Sequence, residues 1–169
     1  MFKAIGLVLI LISLAVFVFN KVENKKQKFL NFCEMKRAIS FLKHELSFSA
    51  PELSLLCKRI CDQTSGEISQ VFQETKRQLE KESSIDFYTA WENAAGKREL
   101  FSEETQKIIL ELIKGLGKKS LDIEIENIEK TQKALEMLEA EEKEKYLKER
   151  KLIYTLGTAA GAVILILAI

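Results

Sequence analysis

Residues 28–60 read KFLNFCEMKRAISFLKHELSFSAPELSLLCKRI, and this stretch decides the fold class. Phe32, Met35, Ile39, Leu42 and Leu46 recur at alternating intervals of three and four residues, which places them on one side of an α-helix. A half-buried strand would need apolar residues at every second position, and that alternation is missing. The stripe predicts a helix from about Val22 to Ser47 that continues out of the apolar segment before it. Ser49-Ala50-Pro51 ends it, because proline disfavours helical backbone at the preceding residue, while Pro51 itself suits the first turn of a new helix. That second helix, from about Pro51 to Gln63, presents Leu53, Leu56, Cys57 and Ile60 on one face.

The same periodicity continues downstream. Thr64-Ser65-Gly66 interrupts the chain before a third helix that runs to about Glu82 and carries Ile68, Val71, Phe72 and Leu79. Asp86 is placed to cap a fourth helix, with Phe87, Trp91, Ala94 and Ala95 facing inward, Trp91 as the core anchor, and Gly96 weakening its end. Ser102 fits the N-cap of a fifth, with Glu103 and Glu104 favourable in its first turn and Ile108, Ile109, Leu112, Ile113 and Leu116 buried. Gly115, Gly117 and Ser120 form the next interhelical turn: the glycines end one helix and Ser120 caps the last. That last helix carries Leu121, Ile125, Ile128, Leu135 and Leu138. The reading is all-α, a bundle of about six helices.

Both ends of the chain are apolar. AIGLVLILISLAVFVF, from Ala4 to Phe19, holds no charge, and with Met1, Phe2 and Asn20 it is about long enough to cross a hydrocarbon core of roughly 30 Å. A cleaved signal peptide would end in small residues, whereas bulky Val16, Phe17, Val18 and Phe19 run into Asn20-Lys21, so an uncleaved anchor is expected. LIYTLGTAAGAVILILAI, from Leu152 to Ile169, is again uncharged, about 27 Å long as a helix, and apolar on every face. The expected division is a transmembrane helix over 1–20, a cytoplasmic helical bundle over 21–151 and a transmembrane helix over 152–169. Orientation follows from basic residues beside the spans: Lys21, Lys25, Lys26 and Lys28 after the first, and Lys143, Lys145, Lys148, Arg150 and Lys151 before the second, against Lys3 alone outside. Cys33, Cys57 and Cys61 all lie between the spans, which suits reduced thiols in the cytoplasm.

The chain has 26 Lys and Arg against 25 Asp and Glu, a net charge of +1. Without Lys3 the basic and acidic residues are equal in number, so nucleic acid is not an expected partner and another protein is. Gly115-Leu116-Gly117-Lys118-Lys119-Ser120 superficially resembles a phosphate-binding loop, but Leu112 stands where its first glycine belongs and Lys119 where its Ser or Thr belongs. Cys57 and Cys61 share a helix face, and His44 is the only histidine; without a C-x-x-C pair the cysteines read as small core residues, and no metal or cofactor is expected. No nucleophile and base are marked as a pair, which predicts a non-enzyme.

Gly157-x-x-x-Gly161 is a small-residue patch through which helices approach closely, either against Gly6 on the first span or against another copy of the chain. The charged run from Glu139 to Lys151 reads as a solvated helix with pairs such as Glu141–Lys145 and Glu144–Lys148, a stalk with partner binding as the second reading. An alternative organisation is a membrane-tethered scaffold for division or envelope organisation, with Leu121 to Leu138 as a dimer seam.

Several pieces in order resemble the stage III sporulation protein AB family of endospore-forming bacteria over nearly the whole length. They are Met1-Phe2-Lys3-Ala4-Ile5-Gly6, Leu42-Lys43-His44-Glu45-Leu46 before Pro51-Glu52-Leu53, Ala90-Trp91-Glu92, Gly115-Leu116-Gly117, and Leu135-Glu136-Met137-Leu138-Glu139 leading to Leu156-Gly157-Thr158-Ala159-Ala160-Gly161. Lys118-Lys119-Ser120 departs from the family pattern, which has an aspartate where Ser120 stands. The resemblance implies a soluble part similar to the cytoplasmic domains of type II secretion F and type IV pilus platform proteins. It implies a mother-cell membrane subunit of a secretion-like complex that joins mother cell and forespore, with other channel subunits and a cytoplasmic motor ATPase as partners.

Overall fold

The computed structural model describes all residues except Met1, Ala50, Ser83, Lys97, Lys119 and Ile169, and all their side chains except those at 2–5, 7, 8, 11, 165, 167 and 168. Six helices follow one another: α1 Phe2–Phe48, α2 Leu53–Gln63, α3 Gly66–Lys81, α4 Phe87–Ala95, α5 Glu103–Gly115 and α6 Leu121–Ala168. Among the described residues there is no strand. The chain divides into two compact units, one formed by residues 1–29 and 141–169, the other by 30–140.

The core of the second unit is built from the predicted stripes. Phe32, Met35, Ile39, Leu42 and Leu46 of α1 are all buried, with Leu56, Cys57 and Ile60 of α2 and Ile68, Val71 and Phe72 of α3. Trp91 is 2% exposed and meets Phe72 edge to face, ring centroids 4.9 Å apart. Ile109, Leu112 and Ile113 of α5 and Ile128 and Leu135 of α6 complete the cluster. The last two matter for the alternative scaffold: the middle of its expected seam lies in this chain's own core, while Leu121 is exposed.

The helix ends show why the chain turns where it does. After α1, Ser49 donates backbone and hydroxyl hydrogens to the Glu45 carbonyl, closing the last turn ahead of Pro51. Pro51 itself lies before α2, not in its first turn: Glu52 occupies the N-cap, and its carbonyl accepts from the Leu56 amide. Asp86 caps α4 by accepting from the Thr89 amide at 3.1 Å, and Ser102 caps α5 through the Thr105 amide. Between α4 and α5, Leu100 and Phe101 turn into the core. Asn31 of α1, itself buried, holds that connection by donating to the Leu100 carbonyl at 3.0 Å and to Glu67 of α3 at 2.7 Å.

Within the second unit α1 and α6 run antiparallel. Lys36 meets Glu139 at 2.7 Å, Gln132 donates to Ser40, and Lys43 meets Glu129 at 2.9 Å, so position rises on one helix as it falls on the other. Asp86 adds a second tie, accepting from Lys118 in the α5–α6 connection at 2.7 Å.

Among the described residues no helix is long and apolar enough to cross a membrane. The two expected spans draw on Met1 and Ile169 and on side chains near both ends that lie outside the described set.

Two expectations follow for the second unit. Trp91→Ala removes its largest aromatic anchor and is expected to lower unfolding stability by about 3–5 kcal/mol, read from urea denaturation followed by circular dichroism. The Asp86 carboxyl is pushed down from 3.8 to about 2, first by Lys118 and then by the Thr89 hydrogen bonds. Its folded value lies below its unfolded one, so its contribution to stability is complete above the ordinary aspartate range and lost as pH falls through about 2. In an NMR titration Lys118→Ala should bring the Asp86 midpoint back up; an unmoved midpoint would show that the pair does not form.

Candidate functional site

The residues singled out in the sequence fall at three places. In the first unit, the α6 segment from Glu141 onward lies against the α1 segment up to Phe29. A Cβ built on Gly157 would come within 2.6 Å of Val18 Cγ2, and one on Gly161 would lie 3.9 Å from Leu14 Cδ2. Two helices touch closely here because one of them has no side chain at the contact. Lys25 meets Glu149 at 2.9 Å, and the rings of Phe29 and Tyr146 stack with centroids 5.4 Å apart and planes 2° from parallel. These four pairs again descend on one helix as they ascend on the other, so the segments form an antiparallel pair. Gly157 and Gly161 thus face Val18 and Leu14 and not Gly6, beside which no described residue lies within 4 Å of a built Cβ.

The surface of this pair is apolar. Leu9, Ile10, Ile12, Val16, Phe17 and Phe19 on α1 are exposed, as are Leu156, Val163 and Ile166 on α6. The hydroxyls of Thr155 and Thr158 return to carbonyls of their own helix, Lys151 at 2.9 Å and Tyr154 at 3.0 Å, which leaves little hydrogen bonding for an outside partner. Where the apolar stretches give way to charge, Lys21 lies over the Phe17 ring and Arg150 over the Tyr154 ring, 5.7 and 5.9 Å from the centroids. The charged run beyond them carries Glu144–Lys148 as expected, while Glu149 reaches across to α1.

The second place is the α5–α6 turn. Gly115 is still helical and has free space around it, whereas Gly117 has φ +75° and faces Leu53 of α2, whose Cδ1 would lie 2.8 Å from a Cβ. A side chain at Gly117 is disfavoured by the backbone conformation, and its Cβ would also require the Leu53 methyl to move aside. The Gly117 amide donates to the Glu124 carboxylate at 2.7 Å. The backbone donor that a phosphate would need is therefore occupied by a carboxylate of the chain itself, and Lys118 is engaged by Asp86. Ser120 stands at the N-cap of α6, its carbonyl accepting from the Glu124 amide.

The third place holds the thiols and the histidine. Cys57 is fully buried, and burial first, then the neighbouring Cys61, pushes its thiol up to about 12. Cys61 lies 3.1 Å from the Ser69 hydroxyl, which donates to the Cys61 carbonyl. Burial also raises the Cys33 thiol. A thiol held above its usual range is mostly protonated near neutrality and is a poor nucleophile or ligand. His44 is exposed, its ring 4.6 Å from that of Phe48. Among the described residues no three His, Cys, Asp or Glu side chains converge as a metal site.

Comparison with known proteins accords with this arrangement. No curated protein sequence matches the chain. A solved structure titled "Stage III sporulation protein AB (SpoIIIAB)" is similar to it, with a TM-score of 0.62 at 18% identity, covering 72% of this chain and 97% of the other. At that identity the likeness speaks for the fold. The sequence model of the family described as "Stage III sporulation protein AB (spore_III_AB)" matches residues 3–169, which include both apolar ends, the glycine pair and the α5–α6 turn. On that nearly full-length match, the chain belongs to the stage III sporulation protein AB family.

Proposed function

We propose that this chain is a non-enzymatic membrane platform subunit of a secretion-like complex needed for endospore formation. In this reading the antiparallel pair of the first unit is a transmembrane hairpin, the second unit is cytoplasmic on the mother-cell side, and that unit docks a partner motor ATPase. The observation that carries the proposal is the family match over residues 3–169, because it brings the apolar ends and the helical unit into one pattern. Support for the membrane comes from apolar side chains exposed on the outer faces of both α1 and α6 in the first unit. Apolar surface of that extent is stable when lipid covers it. Lys21 beside Phe17 and Arg150 beside Tyr154 are the kind of pairs found where helices leave the hydrocarbon core. Support for a role without catalysis comes from Cys57, whose thiol is held protonated, and from His44, which is exposed with its ring beside that of Phe48.

Topology is the direct test. A protease added outside intact cells should leave residues 30–140 whole, and the same protease should cut them in inverted vesicles. Cleavage from outside would overturn the orientation. The full chain isolated from sporulating cells should copurify with a membrane-associated ATPase, and its absence under conditions that retain other membrane partners would remove the motor from the reading.

The hairpin has its own test. Gly157→Ala should lower the thermal midpoint of the full chain in detergent by driving a Cβ into Val18, and Val18→Ala in the same chain should restore most of it. Gly161→Ala, facing Leu14 at an ordinary contact distance, should leave the midpoint unchanged. Equal effects at the two glycines would argue against the observed register.

A further inference from the structure

Along the second unit, α5 and α6 leave a groove between them of about 240 Å³, lined by Ile108, Glu111 and Gly115 on one wall and Asn127, Lys130 and Ala134 on the other. Gly115 opens the α5 wall, since a Cβ there would meet no described residue within 4 Å. On α6 the lining residues belong to a longer row: Ile123, Asn127, Lys130, Ala134 and Met137 recur every three or four positions and share one face. The two ends of this row are apolar and in solvent, Ile123 at 45% and Met137 at 83% exposure, about 21 Å apart along the helix. A helix face of this length, bordering a groove at its middle and carrying an exposed apolar residue at each end, is a surface that another helix can cover.

Charge narrows the occupant. Lys130 is held by Glu126 at 2.7 Å. On α5, Lys107 is held by Glu103, and Lys114 lies over the Tyr88 ring. The bases nearest to Glu111 on its own helix are thus engaged, and among the described residues Glu111 has no ion pair. The groove is lined by polar and apolar groups alike, and an exposed carboxylate on its wall that has no ion pair among the described residues favours a cation on whatever enters. Shape speaks against a second copy meeting this one groove to groove, because two concave faces would leave the space between them unfilled.

We propose that the α5–α6 groove docks one amphipathic helix of a partner protein, about 14 residues long, whose apolar stripe covers Ile123 and Met137 and whose Lys or Arg meets Glu111. The proposal rests on the platform reading, for which it names the docking surface.

The test places a photo-crosslinking amino acid at Asn127 or Ala134 of the full-length chain in sporulating cells and maps the joined peptides by mass spectrometry. Products should fall on one helix of one partner, at positions three or four residues apart. Glu111→Lys should lower their yield by about tenfold or more, and changing the mapped partner Lys or Arg to Glu should restore it. Gly115→Leu, which has room inside this chain, should block the groove and lower the yield as well. Circular dichroism of both variants guards against simple unfolding. Products joining two copies of this chain would overturn the proposal, as would scattered positions, undiminished yield in both variants, or an equal yield from a probe at exposed Lys81. A mapped helix from a protein other than an ATPase keeps the groove and removes the motor from the platform reading; ATPase copurification with a silent groove does the reverse.

Discussion

The fold of the second unit depends on the closure of α1 against α6. Lys36 and Glu139 are 103 residues apart in sequence, and Gln132 and Ser40 are 92 apart, yet each pair is in hydrogen-bond contact. Bringing such distant segments together costs chain entropy, and the surface pairs that mark the contact are each worth only about 0–1 kcal/mol. The energy comes from elsewhere: from Phe32, Met35, Ile39, Leu42 and Leu46 meeting a core that includes Ile128 and Leu135. At about 25 cal/mol per Å² of apolar surface removed from water, such burial outweighs the polar ties several-fold. The ion pairs set which residues face each other, and the apolar stripes hold them there.

That division of labour explains what could be read in the sequence. Stripes and caps are local signals, so the faces of α1, α2, α3 and α5, and the capping residues Asp86 and Ser102, are legible from spacing and residue type alone. Register between helices is not local. Sequence alone puts the glycine patch against Gly6 or against another copy of the chain, whereas Val18 and Leu14 of α1 face it. Nothing in the spacing of either segment tells which turn of one meets which turn of the other.

A second group of residues was hidden by their polarity. Asn31, Thr75 and Thr105 are buried, although polar side chains read as surface. Each has its hydrogen bonds supplied: Thr75 by donating to the Val71 carbonyl one turn back, Thr105 by Ser102, Asn31 by Leu100 and Glu67. Threonine can bury itself on a helix because its hydroxyl finds a carbonyl of the preceding turn, so it needs no partner that a sequence would advertise. Leu100 and Phe101 were hidden by their place in a connection, where apolar residues carry no helical period.

The charged segment after Glu139 changes most in meaning. As sequence it is a run of acids and bases with solvated i, i+4 pairs, and Glu144–Lys148 is such a pair. Two of its residues do something different: Tyr146 stacks on Phe29 and Glu149 reaches Lys25. A helix this rich in charge has little apolar area with which to bind a neighbour, so a single flat ring contact supplies much of what is available. The Lys25–Glu149 pair, 2.9 Å long, adds a weak preference for the same register. The solvated reading therefore holds for most of the segment, while Tyr146 and Glu149 add a face that meets α1. Residues 141–151 are one half of a helix pair, and all their charges but those of Glu142 and Glu149 lie on exposed residues that face water.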